Sequence, residues 1–368
     1  MRLFTEKKEC CGCGACADVC QAGAIRMVQD KEGFWYPKVN QPKCKKCGRC
    51  RQVCPVCHQS EIKADNLYLG VQAREDGVRY SSSSGGIFSL LAQYVFDRQG
   101  VVYGAAYNEW MEVVHREAGN RKQLERLKRT KYVQSKLSGV YRRIEEQLRQ
   151  EKWVLFCGTP CQAYGLKLFL NKDYDKLILV DLICYGVPSP GIWSSYVKYL
   201  EGRHGGRMTD FSFRDKRNKD NGHTCSYVID GKEYAESLHR NLYCKMYFTN
   251  YILRPSCHEC KFCTVERASD FTIGDFWGLE RVRPEMDDGM GTSVVIAHTD
   301  KAKKVWGEVK EGADWFECRG KEVLQPRLSG PTGVAGKRKG FMRLYRWLRF
   351  ERFLERVFDD KGLKEEWR

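Results

Sequence analysis

Cys10, Cys13, Cys16 and Cys20 recur 34 positions later as Cys44, Cys47, Cys50 and Cys54, so the run C-x2-C-x2-C-x3-C occurs twice in the first sixty residues. A 4Fe-4S cube takes four thiolates, and in paired runs of this kind the fourth cysteine of each run crosses to the other cube. The spacing therefore predicts one site built from Cys10, Cys13, Cys16 and Cys54, and a second from Cys44, Cys47, Cys50 and Cys20. Gly14 and Gly48 follow the second cysteines, where a positive φ lets the backbone turn tightly around the core and aim amides at its sulfurs. Pro55 closes the second run, while Gln21 stands in its place in the first, a departure that leaves every ligand intact. Zinc knuckles or a disulfide scaffold are the alternatives, but zinc sites close with four ligands and rarely duplicate this spacing. The pattern implies one-electron chemistry.

A chain of 368 residues has room for this small module and one larger domain with its own core. Met1 to Glu9 is polar and charged, unlike a signal peptide, and no apolar run approaches the length that spans a bilayer. Nineteen cysteines without an export signal argue for metal ligation in a reducing compartment. A cytoplasmic, anaerobic setting is the expectation. The formal charge of +16 overstates the folded protein, because each oxidised cube with its four thiolates contributes about −2. The remaining excess of Lys and Arg fits a nucleic acid, a membrane surface, an acidic electron donor or plain solvation, and composition does not choose among them.

Residues 60–79 read as a linker and first strand. Ser81, Ser82, Ser83, Ser84, Gly85 and Gly86 then precede an apolar helical pattern at Ile87, Phe88, Leu90, Leu91, Tyr94 and Val95. A Ser/Gly loop opening a helix exposes backbone N–H groups suited to a phosphate, although a plain N-cap gives the same pattern. Trp153 to Phe156 reads as a buried strand ending in Cys157, Gly158, Thr159, Pro160, Cys161 and Gln162, and Leu177 to Cys184 as another. Strands alternating with helices imply an α/β or α+β domain. Cys257 and Cys260 form a C-x2-C pair with Cys263 three residues on, a pattern equally suited to zinc, a redox dithiol or half a cluster. Cys161 and Cys184 follow apolar strands, where loops converge on a site, so together with Cys257 and Cys260 they are candidates to close a third cube.

Several separate stretches carry a family resemblance. They are Ser83 to Gly86 with Phe88; Lys131 to Ser135; Gly158 to Gln162; Asp181, Leu182, Cys184 and Gly186 to Ser189; Phe213 to Lys216; Cys257 and Cys260; and Asp270 with Thr272 to Trp277. Over roughly residues 80–335 the chain resembles the beta-subunit family of coenzyme F-420 hydrogenase and dehydrogenase, preceded over residues 10–57 by a bacterial-type two-cluster ferredoxin. The resemblance implies a ferredoxin domain at 1–60 and a mixed α/β domain at 80–335, with the stretch 61–79 between them read as a linker and the residues of 336–368 themselves reading as a basic amphipathic C-terminal helix. It also implies that the large domain binds FAD and one 4Fe-4S cluster, the latter through Cys161, Cys184, Cys257 and Cys260. Ser83, Ser84, Gly85 and Gly86 are then candidates for the FAD pyrophosphate, with Lys131, Gln134, Ser135, Gly158 and Thr159 as further cofactor contacts. Lys131 has charge pairing in its favour, against an ordinary solvated lysine beside Arg126 to Arg129.

Some features depart from the family pattern. Tyr185 stands where ferredoxin-bearing members often have His. Cys157 and Cys263 are extra thiols beside the proposed third site, open to ligand swapping, while Cys11, Cys57, Cys225, Cys244 and Cys318 read as free cysteines. No paired cysteine motif of the siroheme sulfite-reductase kind is present. Asp270, Asp275, Trp277 and Phe213 to Lys216 either shape an acceptor pocket or simply pack, and no catalytic residue is assigned.

Clusters pass single electrons, whereas a flavin accepts them singly and delivers two, so the expectation is an iron-sulfur flavoprotein oxidoreductase. Electrons would run from a ferredoxin-type donor through the clusters to FAD and on to a hydride acceptor, for which a deazaflavin such as coenzyme F-420 is one candidate. A non-catalytic relay subunit of a larger redox complex is the rival. Nucleic acid is not expected as a partner, and a homo-oligomer is open. The apolar positions Leu344, Trp347, Leu348, Phe350, Phe353, Leu354, Val357 and Phe358 recur at helical intervals. That face suits docking on the protein itself or on a neighbouring subunit better than a membrane surface.

Overall fold

The computed structural model describes residues 3–58, 65–217, 223–359 and 362–367. The first run of cysteines leads into helix α1 (Ala15–Asp18), then strands β1 (Ile25–Gln29) and β2 (Trp35–Val39), and the second run into α2 (Arg49–Gln52). Gly14 and Gly48 cap α1 and α2 at φ 81° and 79°, so the duplicated sequence repeats as duplicated backbone. The β1–β2 hairpin closes on Asp30, whose Oδ1 accepts from the amides of Glu32 and Phe34 at 2.9 and 3.0 Å, a side chain standing in for a turn.

The large unit follows as β3 (Leu67–Ala73), α3 (Asp76–Tyr80), α4 (Ile87–Phe96), β4 (Val101–Tyr107), β5 (Val113–Ala118), α5 (Arg121–Leu124), α6 (Val140–Arg149), β6 (Val154–Gly158), α7 (Pro160–Leu170), β7 (Leu177–Leu182) and α8 (Pro190–His204). Next come β8 (Met208–Asp215), β9 (Thr224–Ile229), β10 (Lys232–Ser237), α9 (Leu242–Phe248), β11 (Phe271–Asp275), α10 (Leu279–Val282), β12 (Ser293–Ala297), α11 (Asp300–Val309), β13 (Ala313–Glu317), α12 (Gly320–Val323), α13 (Arg338–Trp347) and α14 (Phe350–Val357).

Eight strands form one sheet in the order β13-β3-β12-β11-β7-β6-β4-β5, and β8, β9 and β10 form a separate antiparallel meander. Within the large sheet β4, β6, β7 and β11 are parallel to one another, and two antiparallel steps through β12 leave β3 running the same way. The carboxyl ends of these strands therefore share one edge, where loops that follow parallel strands assemble binding sites. Near-continuous apolar strands such as Leu177–Leu182 are what a sheet covered on both faces requires.

One face of the sheet packs Leu91, Ala92 and Val95 of α4 and Val305 and Trp306 of α11 against Val102, Leu155, Ile178 and Val180. Ferredoxin residues Cys13, Ala15, Val19 and Val53 enter a second core with Tyr141, Ile144, Ala163 and Leu166. Phe34 and Tyr36 of the hairpin enter a third, around Trp193, Phe213 and Tyr243. Each fully buried side chain of this size stabilises the fold by roughly 1.5–3 kcal/mol, so the small module is fastened to the large one by its own core.

Two sequence expectations change. The stretch 61–79, read as a linker and first strand set before the large domain, supplies β3 to the inside of that domain's sheet, between β12 and β13; residues 61–64 lie outside the described residues. The C-terminal stretch is two helices, because Leu348 adopts extended geometry (φ −103°, ψ 152°) between α13 and α14. Phe341, Met342, Phe353, Leu354 and Val357 fold onto the core around Trp193, while Trp347 stays 81% exposed. Among the described residues no helix is long and apolar enough to cross a membrane.

Candidate iron-sulfur and cofactor site

Three loops at the carboxyl edge of the sheet bring Cys161, Cys184, Cys257 and Cys260 together. Thr159 caps α7 with a reciprocal capping box to Gln162, and Pro160 at the first helical position puts Cys161 on the second. The hydrogen bond with Cys11, then burial, push the Cys161 thiol well above the ordinary thiol range. Cys184 lies two residues past β7, and Cys257 sits in the 3-10 turn Pro255–Glu259. Each of the four interacts electrostatically with the other three. They line one cavity with Thr159, Tyr185 and Arg267.

The donor set fits a cluster. Burial, then the neighbouring thiols, push Cys184 well above the ordinary thiol range, and burial pushes Cys257 up to about 12. Four crowded thiols of this kind become thiolates only against the positive charge of a metal centre. Backbone amides already point at the sulfurs: Val187 donates to Cys257 at 3.4 Å, Gly186 donates to Cys184, and Phe262 to Cys260. The Cys263 thiol donates to Cys260 and pulls it down to about 7, so Cys263 supports a neighbour's charge. Among the described residues no three His, Cys, Asp or Glu side chains gather tightly enough for a single ion. A cube is wider than an ion and needs its thiolates spread around it.

The ferredoxin thiols group in the same manner. Cys16 interacts with Cys10, Cys54 and Cys50, Cys10 with Cys54, and Cys13 with Cys16 and Cys161, so the four thiols expected at the first site lie near one another and near members of the other two groups. Cys50 interacts with Cys47 and Cys44, and the Cys20 sulfur accepts from the Ala24 amide at 3.3 Å. Cys13 is buried and Cys47 exposed, so the first site faces the large unit and the second faces outward. The first site also adjoins the third: a Cβ on Gly165, one turn along α7 from Cys161, would lie 3.2 Å from the Cys13 sulfur. Cys11, left unassigned by sequence, lies between them, its thiol hydrogen-bonded with Cys13 and Cys161.

The residues proposed for FAD fall in two groups. Ser83 accepts from the Thr130 amide at 2.7 Å, Ser84 donates to the Thr292 carbonyl at 2.9 Å, and Gly86 opens α4 at φ 95° with no side-chain cap. Gly85 is glycine for packing, since a Cβ there would lie 2.1 Å from the Val71 carbonyl oxygen. Lys131 sits beside this loop, its ammonium held by the Arg126 and Lys128 carbonyls at 3.0 and 2.5 Å, and burial lowers it to about 7. The second group lies toward Cys11 and Cys161. Gln134 donates to the Cys11 carbonyl at 3.0 Å, Ser135 accepts from Gln162 at 3.0 Å, and Gly158 and Thr159 lead into α7. Tyr132, between the groups, stacks on Tyr247 at 4.8 Å, which meets Tyr185, the neighbour of Cys184, at 5.3 Å.

Two further polar side chains, His115 and Lys131, stand near the first group. His115 is 4% exposed, its Nε2 meets the Cys157 carbonyl at 3.0 Å, and its Nδ1 has no partner among the described residues. It interacts with Lys131, so an orphaned nitrogen and a cation held only by carbonyls stand near one another. Lys216 has a structural task instead, donating to the carbonyls of Arg79, Ser84 and Met290 at 2.8, 2.7 and 2.6 Å. Asp270 binds the Leu179 amide and the Thr299 hydroxyl, and Asp181 pairs with Arg267 at 2.7 Å, so both hold the sheet together. Asp275 pairs with Arg214 at 2.8 Å, and Trp277 is 56% exposed.

Residues 151–317 match the family model for the C terminus of the coenzyme F420 hydrogenase/dehydrogenase beta subunit, and residues 9–57 match the 4Fe-4S dicluster domain. The chain is 23% identical over 188 residues to the F subunit of the F(420)H(2) dehydrogenase of Methanosarcina mazei, covering 48% of this chain and 53% of that protein. It thus spans about half the length of that relative. Over 55 residues it is 31% identical to an uncharacterised ferredoxin of Methanocaldococcus jannaschii, covering 15% of this chain and 70% of the ferredoxin. Among solved structures it is similar to a chain of the F420-reducing NiFe hydrogenase complex from Methanosarcina barkeri, with TM-score 0.46 and 16% identity over 84% of this chain and 99% of that one. The chain thus joins an N-terminal 4Fe-4S dicluster domain, matched over residues 9–57, to a domain matching the C terminus of the coenzyme F420 hydrogenase/dehydrogenase beta subunit over residues 151–317.

Proposed function

We propose that this chain is the electron-converting component of an oxidoreductase complex, holding three 4Fe-4S clusters and FAD. The observation that carries this reading is the gathering of Cys161, Cys184, Cys257 and Cys260 from three distant segments beside Cys11 and Cys13. The ligands would be Cys10, Cys13, Cys16 and Cys54 for the first cluster, Cys44, Cys47, Cys50 and Cys20 for the second, and the gathered four for the third. A ferredoxin-type donor would approach the outward face at Cys47, and the buried first site would hand electrons past Cys11 to the third.

FAD, when bound, supplies conversion of single electrons into a two-electron hydride equivalent. The chain's own part is to bind and orient it. The uncapped amides at the start of α4 and the ammonium of Lys131 would take the phosphates, with His115 Nδ1 as a further polar contact. The tyrosines Tyr185, Tyr247 and Tyr132 line the path from Cys184 toward that loop and keep it dry. The acceptor is a small molecule that takes hydride, a deazaflavin such as coenzyme F-420 being one candidate.

One observation favours a relay without flavin. Ser83, Ser84 and Gly85 spend their polar groups on Thr130, Thr292 and Ser293 of the same chain, as an internal loop would. Iron, acid-labile sulfide and flavin per chain, measured on anaerobically purified protein, decide between the two. About twelve irons with one flavin is the expected result, and about eight irons without flavin would leave only the dicluster relay.

A further inference from the structure

Arg254 is fully buried where the two units meet, with 0% of its side chain exposed. Its Nε donates to the Cys10 carbonyl at 2.8 Å, Nη1 to Gln134 Oε1 at 2.9 Å, and Nη2 to the Trp35 carbonyl at 3.0 Å. Nη2 also lies 3.7 Å from the Cys10 sulfur. The guanidinium stacks over Tyr36, 4.2 Å from the ring centroid. Gly12, at φ 72°, lets the cysteine loop settle on it, since a Cβ there would lie 2.8 Å from the guanidinium. The Arg254 carbonyl accepts from the Cys257 amide at 2.9 Å, so one residue touches the first and third cysteine sites.

A buried cation is costly unless anions answer it, and among the described residues no carboxylate lies within ion-pair distance of Arg254. Its anionic neighbours are the sulfurs: Cys10 foremost, then Cys11 and Cys257. Arginine stays protonated throughout the working range, so its charge is permanent. Reduction of a cube adds one negative charge beside that cation, and both the charge and the hydrogen bond to sulfur favour the reduced form.

We infer that Arg254 is a positioning residue that sets the redox potential of the cluster at Cys10, holding it above that of the outward cluster at Cys47. Electrons arriving at the exposed site then settle inward, next to Cys11 and Cys161. Gln134 completes the device by fixing the guanidinium and the Cys11 carbonyl at once. The inference rests on the reading of Cys10 as a cluster ligand, and its onward direction on the third cluster.

The test is an EPR-monitored redox titration of the full chain, purified anaerobically. Arg254→Gln should lower the reduction equilibrium constant of one ferredoxin cluster about tenfold, equal to about 59 mV for one electron, and leave the other in place. Arg254→Lys, which keeps the charge, should recover most of the shift. If Arg254→Gln loses iron, Gln134→Glu supplies the same reading, because a carboxylate against the guanidinium cancels its field and must lower the same cluster. Unchanged potentials in an iron-replete variant, or equal shifts in both clusters, would overturn the inference. Both signals belong to the dicluster domain, so they remain readable in a protein with about eight irons, where the third-cluster reading alone has failed.

Discussion

At the scale of single residues, Cys184 isolates the third site better than its partners do. Cys161 is hydrogen-bonded with Cys11, and Cys260 with Cys263, so a substitution at either disturbs a second thiol. Cys184 stands alone past β7, its side chain given over to the group of four. Cys184→Ser should therefore remove one cluster, taking iron from about twelve to about eight per chain while the ferredoxin EPR signals persist. Iron unchanged in the variant would mean that Cys157 or Cys263 replaces it or that no cluster is held there, and loss of the ferredoxin signals would mean that the sites are not separate. The ferredoxin ligands were legible in sequence because metal spacing is a local signal, written within fifty residues. Arg254 was not, since its partners Cys10, Trp35 and Gln134 stand 244, 219 and 120 positions away and no periodicity encodes such a meeting.

At the scale of elements, the sheet is stapled by a buried polar network. His298, just past β12, donates from Nε2 to the Thr272 hydroxyl of β11 at 2.8 Å, and its Nδ1 lies 2.9 Å from the Asn66 side-chain amide before β3. Thr272 donates in turn to Asp181 of β7 at 2.7 Å. Burial lowers both His298 and His115 from 6.5 to about 4, so the folded protein keeps them neutral while the unfolded chain protonates them near 6.5. Their contribution is complete above pH 6.5 and is lost as pH falls from there toward 4, by about 3 kcal/mol each at most. The apparent unfolding midpoint followed by circular dichroism should drop steeply across that window, and His298→Asn should flatten the drop. An identical slope in the variant would show that the staple does not titrate. Strand β3, Leu67–Ala73, adjoins this network; a first strand was legible in this stretch, but its place between β12 and β13 was not, because Gly70 and Gln72 interrupt its apolar run and its partners lie more than 200 positions away. Gly70 is there because the Phe316 ring of β13 lies over it, a Cβ coming within 2.3 Å, which only the sheet order reveals. The α7 start was legible by contrast, because Thr159, Pro160 and Gln162 are a complete local capping signal.

At the scale of the whole molecule, the formal charge of +16 is not spread evenly. Between Gly33 and His58 there is no Asp or Glu, and Lys38, Lys43, Lys45, Lys46 and Arg49 are all exposed around Cys47. Composition alone left nucleic acid, membrane and acidic protein open; exposed basic residues beside Cys47, a proposed cluster ligand, argue for an acidic redox protein. A one-electron carrier must bring its centre close to the cluster, and an acidic surface would be steered there by the field of those lysines. Replacing Lys43, Lys45 and Lys46 together by Glu should slow reduction by an acidic ferredoxin by about 10- to 1000-fold at low ionic strength. The wild-type rate should fall as salt is added, because screening shortens the reach of the field to about 10 Å at 0.1 M, whereas the variant's should not fall. Reduction by dithionite, which needs no docked protein, should be the same in both. Stopped-flow bleaching of the cluster absorbance at several salt concentrations reads all three quantities. Equal ferredoxin rates in the two proteins would place the entrance for electrons elsewhere on the molecule and leave the basic face as ordinary solvated surface.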